Sequence, residues 1–142
     1  MSAPIWFGQP TIDLISQMQQ GTIDEHLGIS ITEIGPDYLK GTMPVDRRTL
    51  QPTGRLHGGA NVVLAESLGS IGANMVVDNS QRVCFGLDIN ANHVRGVSQG
   101  EVTGIAKPLH IGATTQVWEI KIYDEKDRLS CISRLTMAVV KR

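Results

Sequence analysis

One carboxylate stands out among the residues whose type and position could support chemistry. Glu66 is the only acidic residue between Arg55 and Asp78, and the residues around it are small or apolar. It is either a solvent-facing residue of an amphipathic helix or a buried functional group. The shortage of other charges on this segment favours the second interpretation, because titratable groups in apolar surroundings cluster at active sites. Such a carboxylate can act as a nucleophile or as a general base.

A second feature lies at the start of the same segment, where His57-Gly58-Gly59 opens a predicted helix. No Ser, Thr or Asp stands there as a cap, so we expect the backbone N–H groups to be free. Free N–H groups at the positive end of a helix dipole attract an anion or a developing oxyanion. A Gly-Gly start can also be only a tight turn. The nearby carboxylate favours the functional interpretation.

The spacing of these two features has a consequence for assembly. Gly58 and Glu66 are eight residues apart, which is about 12 Å along one helix. A single carbonyl group cannot easily reach both. Two antiparallel copies of the helix, related by a two-fold axis, would bring Gly58 of one copy near Glu66 of the other. If both residues act on one carbonyl, the site lies between subunits and the protein is at least a dimer.

The periodicity of the chain predicts the scaffold that holds these residues. Residues 10–20 form a short amphipathic helix, with Ile12, Leu14, Ile15 and Met18 on one face, and residues 58–77 form a long, mostly buried helix. Gly69 and Gly72 in that helix suggest close packing, because an interior Gly costs about 1 kcal/mol relative to Ala. The predicted strands are residues 27–34, 38–45, 83–93, 101–106, 113–123 and 129–140. We expect one α+β domain over residues 1–142, an antiparallel sheet curled around the central helix.

Composition and charge exclude several classes of protein. A formal charge of −1 gives no broad basic surface for nucleic acid. No Lys or Arg precedes Lys40, and the apolar runs are short, so we expect neither a secretory signal nor a membrane span. Cys84 and Cys131 lie far apart in strand-like segments, which is typical of free thiols in a reduced, cytoplasmic protein. The four histidines lack zinc-ligand spacing, so no metal or redox cofactor is expected.

The chain resembles a known family in one long run of residues and in several shorter ones. The run QPTGRLHGGANVVLAES at positions 51–67 is similar to the signature of hotdog-fold acyl-CoA thioesterases, of the PaaI-like branch with the Arthrobacter-type 4-hydroxybenzoyl-CoA thioesterase. The similarity extends to TMPVD (42–46), NANHVR (90–95), KPLHIG (107–112), QVW (116–118) and DEK (124–126). The HGG start alone is moderately specific, whereas this combination over nearly the whole chain is highly specific.

The resemblance implies a role for each residue of the motif. Glu66 is then the nucleophile that attacks the thioester carbon or the base that activates water, and the Gly58 N–H polarises the thioester oxygen. Gln51 and His57 orient the thioester and water, and Ser70 helps to position water. Without the resemblance, Gln51 reads as a loop amide, His57 as a helix-start side chain, and Ser70 as a hydroxyl bonded to its own helix.

The resemblance also implies contacts to coenzyme A. One contact falls on Gly86. A second set lies at the end of a predicted strand and consists of His93, Val94, Arg95 and Gly96. A third set lies in a predicted hairpin and consists of His110, Ile111, Gly112, Ala113, Thr114 and Thr115. Arg95 carries a fork of donors suited to phosphate, although a solvated arginine at a strand end is its plainer interpretation. Close relatives often have Ser at the position of Ala113, and Thr114 is the hydroxyl that could replace it.

The expected function is hydrolysis of an aromatic or hydroxylated acyl-CoA, with 1,4-dihydroxy-2-naphthoyl-CoA of menaquinone synthesis as the implied substrate. One alternative is proofreading of misacylated aryl carrier proteins, and another is a non-catalytic acyl-CoA-binding module. Hotdog hydratases pair a His with an acidic residue, and the placement of HGG and Glu66 argues against them. The family implies a homodimer with intersubunit sites, and pairing of two dimers into a homotetramer.

Overall fold

Three helices and six strands make up residues 3–142, the part of the chain that the computed structural model describes. The helices are α1 (Ile12–Gln19), α2 (Ile23–Leu27) and α3 (Gly58–Val76). The strands are β1 (Ser30–Ile34), β2 (Leu39–Pro44), β3 (Arg82–His93), β4 (Glu101–Ile111), β5 (Thr115–Tyr123) and β6 (Leu129–Lys141). The α+β class and the six predicted strands are therefore confirmed.

All six strands form one antiparallel sheet in the order β1-β2-β4-β5-β6-β3. The sheet packs around α3, which contacts every strand from β2 to β6. β3 is an edge strand and the one that follows α3 in the sequence, so one of its sides has no neighbour within residues 3–142. This arrangement confirms the predicted sheet around a central helix and leaves the strand nearest α3 open.

The glycines of α3 allow the helix to lie close to the sheet. A Cβ at Gly69 would come within 2.6 Å of Leu135, and one at Gly72 within 2.9 Å of Trp118. Leu64 and Leu68 are fully buried on the same helix. Large sheet side chains thus fill the space that the glycines leave, and this packing compensates for their poor helix propensity.

The N-terminal region differs from the sequence prediction in two ways. Ile15 and Gln19 are the buried residues of α1, whereas Met18 is 66% exposed and Ile12 and Leu14 are exposed as well. The predicted amphipathic helix is confirmed, and Leu14, Ile15 and Met18 line one cavity, but of the four predicted apolar residues only Ile15 is buried, because α1 lies on the surface. Residues 23–27 form helix α2, which the prediction missed, so β1 starts at Ser30 and not at residue 27.

Two strand boundaries also differ. β4 continues past residue 106 through Pro108 to Ile111, with a shift of register between Pro108 and His110. A bulge is one of the few places where a strand accommodates proline. β5 begins at Thr115 and not at residue 113, because Gly112 N–H donates to the Thr115 carbonyl at 2.8 Å and closes the hairpin turn.

Gln116→Ala is expected to lower the free energy of unfolding by about 2–4 kcal/mol. Gln116 is 0% exposed; its Oε1 accepts from Trp118 Nε1 at 2.8 Å and its Nε2 donates to the Ala73 carbonyl at 3.3 Å. The substitution leaves the buried indole N–H unpaired and opens a cavity. Urea denaturation measures the change.

Glu119→Ala is the matched control, because Glu119 is only half-buried and pairs with Lys121 at 3.6 Å along the same strand. A surface pair of this kind contributes roughly 0–1 kcal/mol. Equal loss of stability in the two variants would contradict the contribution of the buried Gln116 hydrogen bonds to the free energy of unfolding.

Candidate active site

Glu66 lies at the middle of α3, half-buried, and its side chain lines a cavity of about 440 Å³. The apolar part of the wall comes from α1, α2 and α3; it includes Ile15, Met18, Ile23, Val63 and Ile71. Within residues 3–142 no group forms a hydrogen bond or an ion pair with the Glu66 carboxylate. Its acceptor atoms are therefore available to a water molecule or to a bound ligand.

β3 passes directly over this carboxylate. A Cβ at Gly86 would lie 2.6 Å from Glu66 Oε2. The register of β3 against β6 shifts between Gly86 and Asp88, so Leu87 is an extra residue in the strand. Bulges are over-represented next to active sites, where they redirect side chains. Gly86, predicted as a coenzyme A contact, is thus also the residue that leaves room for the carboxylate.

Gly86→Ala is expected to lower kcat by roughly 10–100-fold while changing the melting temperature little. The new methyl group would push the flexible end of Glu66 aside, and a misplacement of about 1 Å can cost 10²-fold in rate. Steady-state kinetics and thermal unfolding on the same sample separate the two effects. A Gly86→Ala protein with the wild-type kcat would show that this contact does not matter for the reaction.

The start of α3 differs in part from the expectation that its N–H groups are uncapped. His57 is the N-cap residue, and its Nδ1 accepts from the Gly59 N–H at 2.8 Å. Because Nδ1 accepts, the ring proton of neutral His57 is on Nε2. The Gly58 N–H has no acceptor within residues 3–142. The helix therefore keeps one free N–H at Gly58, and the exposed His57 ring is its neighbour.

A second cavity, of about 300 Å³, lies beside that free N–H. Its lining contains predicted site residues from three segments, namely Gln51, Gly58, His93, Arg95 and Gly96. The Gln51 carbonyl accepts from Gly54 N–H at 2.9 Å, and its side-chain oxygen accepts from Thr53 N–H. Gln51 is thus held in a tight loop that faces the cavity.

Within one chain the two cavities are separate. Glu66 and Ser70 line the first, whereas Gln51 and Gly58 line the second. The same strand borders both: Gly86 lies against Glu66, and the His93 ring lies against Gly58. The structure thus keeps the predicted carboxylate and the predicted oxyanion N–H at two places along the open edge strand β3.

The predicted coenzyme A contacts are also divided. Val94 N–H donates to the Ser130 carbonyl at 2.8 Å, which fixes residues 93–96 at one end of β3. The hairpin of residues 110–115 lies at the opposite end, because Thr115 is opposite Ala138 and Ala138 is opposite Phe85. From Phe85 to His93 the strand spans about 26 Å. In one chain, therefore, the two sets do not converge.

The hairpin itself presents its tip to the surroundings. His110, Ile111, Ala113 and Thr114 are exposed, and Gly112 and Thr115 are half-buried. The Val139 N–H donates to the Thr114 carbonyl at 2.9 Å and ties the tip to β6. These residues form a fixed, accessible surface at one end of the sheet.

Comparison with known proteins identifies the family of this chain. The family model described as "Thioesterase superfamily" matches residues 53–131, which include the α3 start, Glu66 and β3. The chain belongs to the thioesterase superfamily. Two similar proteins are a 1,4-dihydroxy-2-naphthoyl-CoA hydrolase of Escherichia coli, 51% identical over 96% of this chain and 99% of the relative, and a proofreading thioesterase, EntH, of Cronobacter turicensis, 49% identical over 96% and 98%.

A solved structure agrees with this assignment. The crystal structure of a mutant thioesterase from Pseudomonas aeruginosa matches with a TM-score of 0.96 and 46% identity, over 97% of this chain and 99% of that one. The predicted hotdog fold is confirmed. The protein is an enzyme of the thioester hydrolase type, as the sequence predicted.

Two residues of this thioesterase escaped the sequence analysis. Asp24 is only 8% exposed on the wall of the Glu66 cavity, where it accepts from Ser67 Oγ at 2.5 Å and Gln19 Nε2 at 3.2 Å. In the sequence it lies between the predicted first helix and the predicted first strand, where no site residue was expected. Asn61 is buried beside His93 in the second cavity and reads as an ordinary helix residue. A buried acidic residue and a buried amide were the available signals, and both depend on burial.

The thiols are not activated nucleophiles in this thioesterase. Cys84 and Cys131 are free and buried. Burial raises the pKa of the Cys131 thiol to about 11 and also raises that of Cys84, which keeps both protonated near neutral pH. In residues 3–142 no cluster of three or more His, Cys, Asp or Glu side chains is placed to hold a metal ion. The same residues contain no helix long and apolar enough to span a membrane.

Proposed function

We propose that this thioesterase hydrolyses the coenzyme A esters of aromatic, hydroxylated acids, with 1,4-dihydroxy-2-naphthoyl-CoA as its physiological substrate. The observation that carries the proposal is the placement of the unpaired Glu66 carboxylate on the wall of a largely apolar cavity of about 440 Å³. That volume lies within the range of small-molecule pockets, roughly 300–1,000 Å³. The 51% identity to a hydrolase of that name supports the choice of acyl group.

The cavity has the chemistry that a hydroxylated aromatic ring requires. Apolar side chains of α1, α2 and α3 cover the faces of the ring. Asp24 supplies a buried acceptor at the same wall, already paired with Ser67 and Gln19. A carboxylate accepts up to about four hydrogen bonds, so Asp24 can also accept one from a ring hydroxyl. The ring is thereby oriented as well as buried.

In the reaction that we propose, the Gly58 N–H donates to the thioester oxygen and stabilises the negative charge that develops there. Glu66 either attacks the carbonyl carbon and displaces the CoA thiolate, giving a mixed anhydride that water hydrolyses, or takes a proton from the attacking water. Both routes yield the free acid and CoA-SH. Gln51 and His57 orient the thioester and water, and Ser70, one turn after Glu66, positions the water.

The division of the site supports a dimer across β3. Phe85 and Leu87 on this open strand are 58% and 63% exposed, and they would be covered by a second copy. A two-fold axis between Gly86 and His93 would place the Glu66 half of one copy beside the Gly58 half of the other. It would also bring the hairpin of residues 110–115 of one copy toward residues 93–96 of the other. We propose this dimer as the functional unit, with two dimers forming a tetramer.

Proofreading of aryl carrier proteins is the second candidate, because a relative with 49% identity carries that name. It uses the same reaction on a pantetheine arm attached to a protein. We also propose a cytoplasmic location, since both cysteines remain free thiols, as expected in a reducing compartment.

A panel of thioesters tests the function. It contains 1,4-dihydroxy-2-naphthoyl-CoA, benzoyl-CoA, an aliphatic acyl-CoA and an aryl carrier protein loaded with a hydroxybenzoyl group. We expect the highest kcat/KM for the hydroxylated aromatic CoA esters, and a smaller preference for the ring hydroxyls in Asp24→Ala. A higher kcat/KM for the loaded carrier protein would favour proofreading. Absence of hydrolysis on every ester would refute the function.

A further inference from the structure

A buried amide lies beside the free N–H of α3. Asn61, in the first turn of the helix, is 3% exposed and lines the cavity that also contains Gln51, Gly58, His93 and Arg95. Its Nδ2 is 3.4 Å from His93 Nδ1. Its Oδ1 is buried and has no partner within residues 3–142. An unpaired buried acceptor is destabilising, so the position of Asn61 beside the His93 ring needs an explanation other than stability.

The direction of the Asn61–His93 contact determines where the imidazole proton is. In the structure the amide nitrogen of Asn61 faces Nδ1, and because an amide nitrogen only donates, Nδ1 is the acceptor in this orientation. A neutral imidazole with an accepting Nδ1 carries its proton on Nε2. This orientation of Asn61 favours the Nε2–H tautomer of His93.

His93 Nε2 lies close to Gly58, whose N–H is the candidate oxyanion donor. His93 Nε2 lies 2.9 Å from the position that a Cβ of Gly58 would occupy. The Gly58 N–H, which has no acceptor within residues 3–142, belongs to the same residue. Two donors from two different elements, β3 and α3, thus meet at the start of the helix.

We propose that Asn61 is a positioning residue that holds His93 as its Nε2–H tautomer, so that His93 Nε2–H and Gly58 N–H together donate to the thioester oxygen. This inference rests on the proposed function and adds a second donor to its oxyanion site. Asn61 itself touches no reacting atom.

NMR of the ring nitrogens tests the tautomer without any substrate. Long-range ¹⁵N–¹H correlation spectra at pH 8 are expected to show His93 protonated at Nε2, with the signals assigned by their loss in His93→Gln. In Asn61→Asp the new carboxylate only accepts, so the proton is expected to move to Nδ1. In Asn61→Ala the two tautomers should mix.

Kinetics on the best ester of the panel provide the second readout. Removal of one oxyanion donor costs roughly 10²–10³-fold in kcat, and for Asn61→Asp, which withdraws the His93 donor, we expect a fall of at least about tenfold. Because the donor acts mainly in the transition state, kcat should fall more than KM rises.

Asn74→Ala is the matched control. Asn74 is the other amide of α3 that bonds to β3, through its Nδ2 to the Cys84 carbonyl at 3.2 Å and its Oδ1 from the Cys84 N–H at 2.9 Å. It lies outside both site cavities. The His93 tautomer should be unchanged in Asn74→Ala even if the protein is less stable.

A His93 protonated at Nδ1 in the wild type, or at Nε2 in every Asn61 variant, would overturn the proposal. The wild-type spectrum tests the tautomer of His93 even if a variant fails to fold. The expected tautomers together with no hydrolysis of any ester would refute the proposed function and the donor role that depends on it. Normal hydrolysis with the opposite tautomer would refute only the role of Asn61.

Discussion

Replacement of Glu66 by Gln is expected to lower kcat for every hydrolysed acyl-CoA by roughly 10²–10⁴-fold, the usual effect of removing a catalytic acid or base. The amide keeps the size of the side chain but can neither attack a carbonyl nor accept the proton of water. No hydrogen bond or ion pair to Glu66 is lost within residues 3–142, so the free energy of unfolding should change little. Steady-state kinetics and urea denaturation measure the two quantities.

Glu101→Gln is the control for this prediction. Glu101 is an exposed carboxylate at the start of β4, remote from α3 in the sequence and outside both site cavities. Its kcat should equal that of the wild type. Hydrolysis that continues at a near wild-type rate in Glu66→Gln would exclude both mechanisms, because each requires this carboxylate.

The second large effect is recovery of activity in mixed dimers. Gly58→Pro removes the free N–H and places a ring carbon where a Cβ would lie 2.9 Å from His93 Nε2. Proline suits the first helical position, and His57 already has the extended backbone that a following proline requires, with φ −65° and ψ 131°. Gly58→Pro and Glu66→Gln should each be nearly inactive when pure.

Mixed in equal amounts and allowed to exchange, the two variants should recover about a quarter of the wild-type activity. Half of the dimers are then hybrids, and each hybrid has one site with an intact Gly58 and an intact Glu66. Native mass spectrometry checks the exchange. A site built within one chain predicts no recovery, because neither variant supplies both residues, so hybrid dimers without activity would refute the shared site.

The sequence predicted the main fold because the long helix and the strands had clear patterns. α3 follows from a long run of apolar and small residues, and the existence of the six strands, though not all of their bounds, follows from apolar or alternating segments. The errors in the helices lie in short surface segments, where packing against neighbouring elements decides which side chains are buried. The exposed apolar side chains of α1 and the missed helix α2 are both of this kind, since the burial of short surface helices depends on what packs against them.

In the candidate site, too, some residues could be proposed from the sequence and others could not. Glu66 and Gly58 were found because a lone charge and a Gly-Gly start are unusual in an apolar helix. Asp24 was missed because nothing in the sequence around it indicates that Ser67, 43 residues away, donates to it. The uncapped helix start was only partly right, since the His57 ring caps Gly59 and leaves the Gly58 N–H free.

By itself the sequence determined which residues can do the chemistry, because residue type, helix period and motif spacing are local properties. It also implied two copies of α3 if Gly58 and Glu66 act on one carbonyl, because they lie too far apart on one helix. Only the tertiary structure decided which cavity each residue lines, that Gly86 makes room for Glu66, and that Asn61 faces His93. Those relations join segments distant in the chain, and they depend on how β3 packs against α3, which no local pattern encodes.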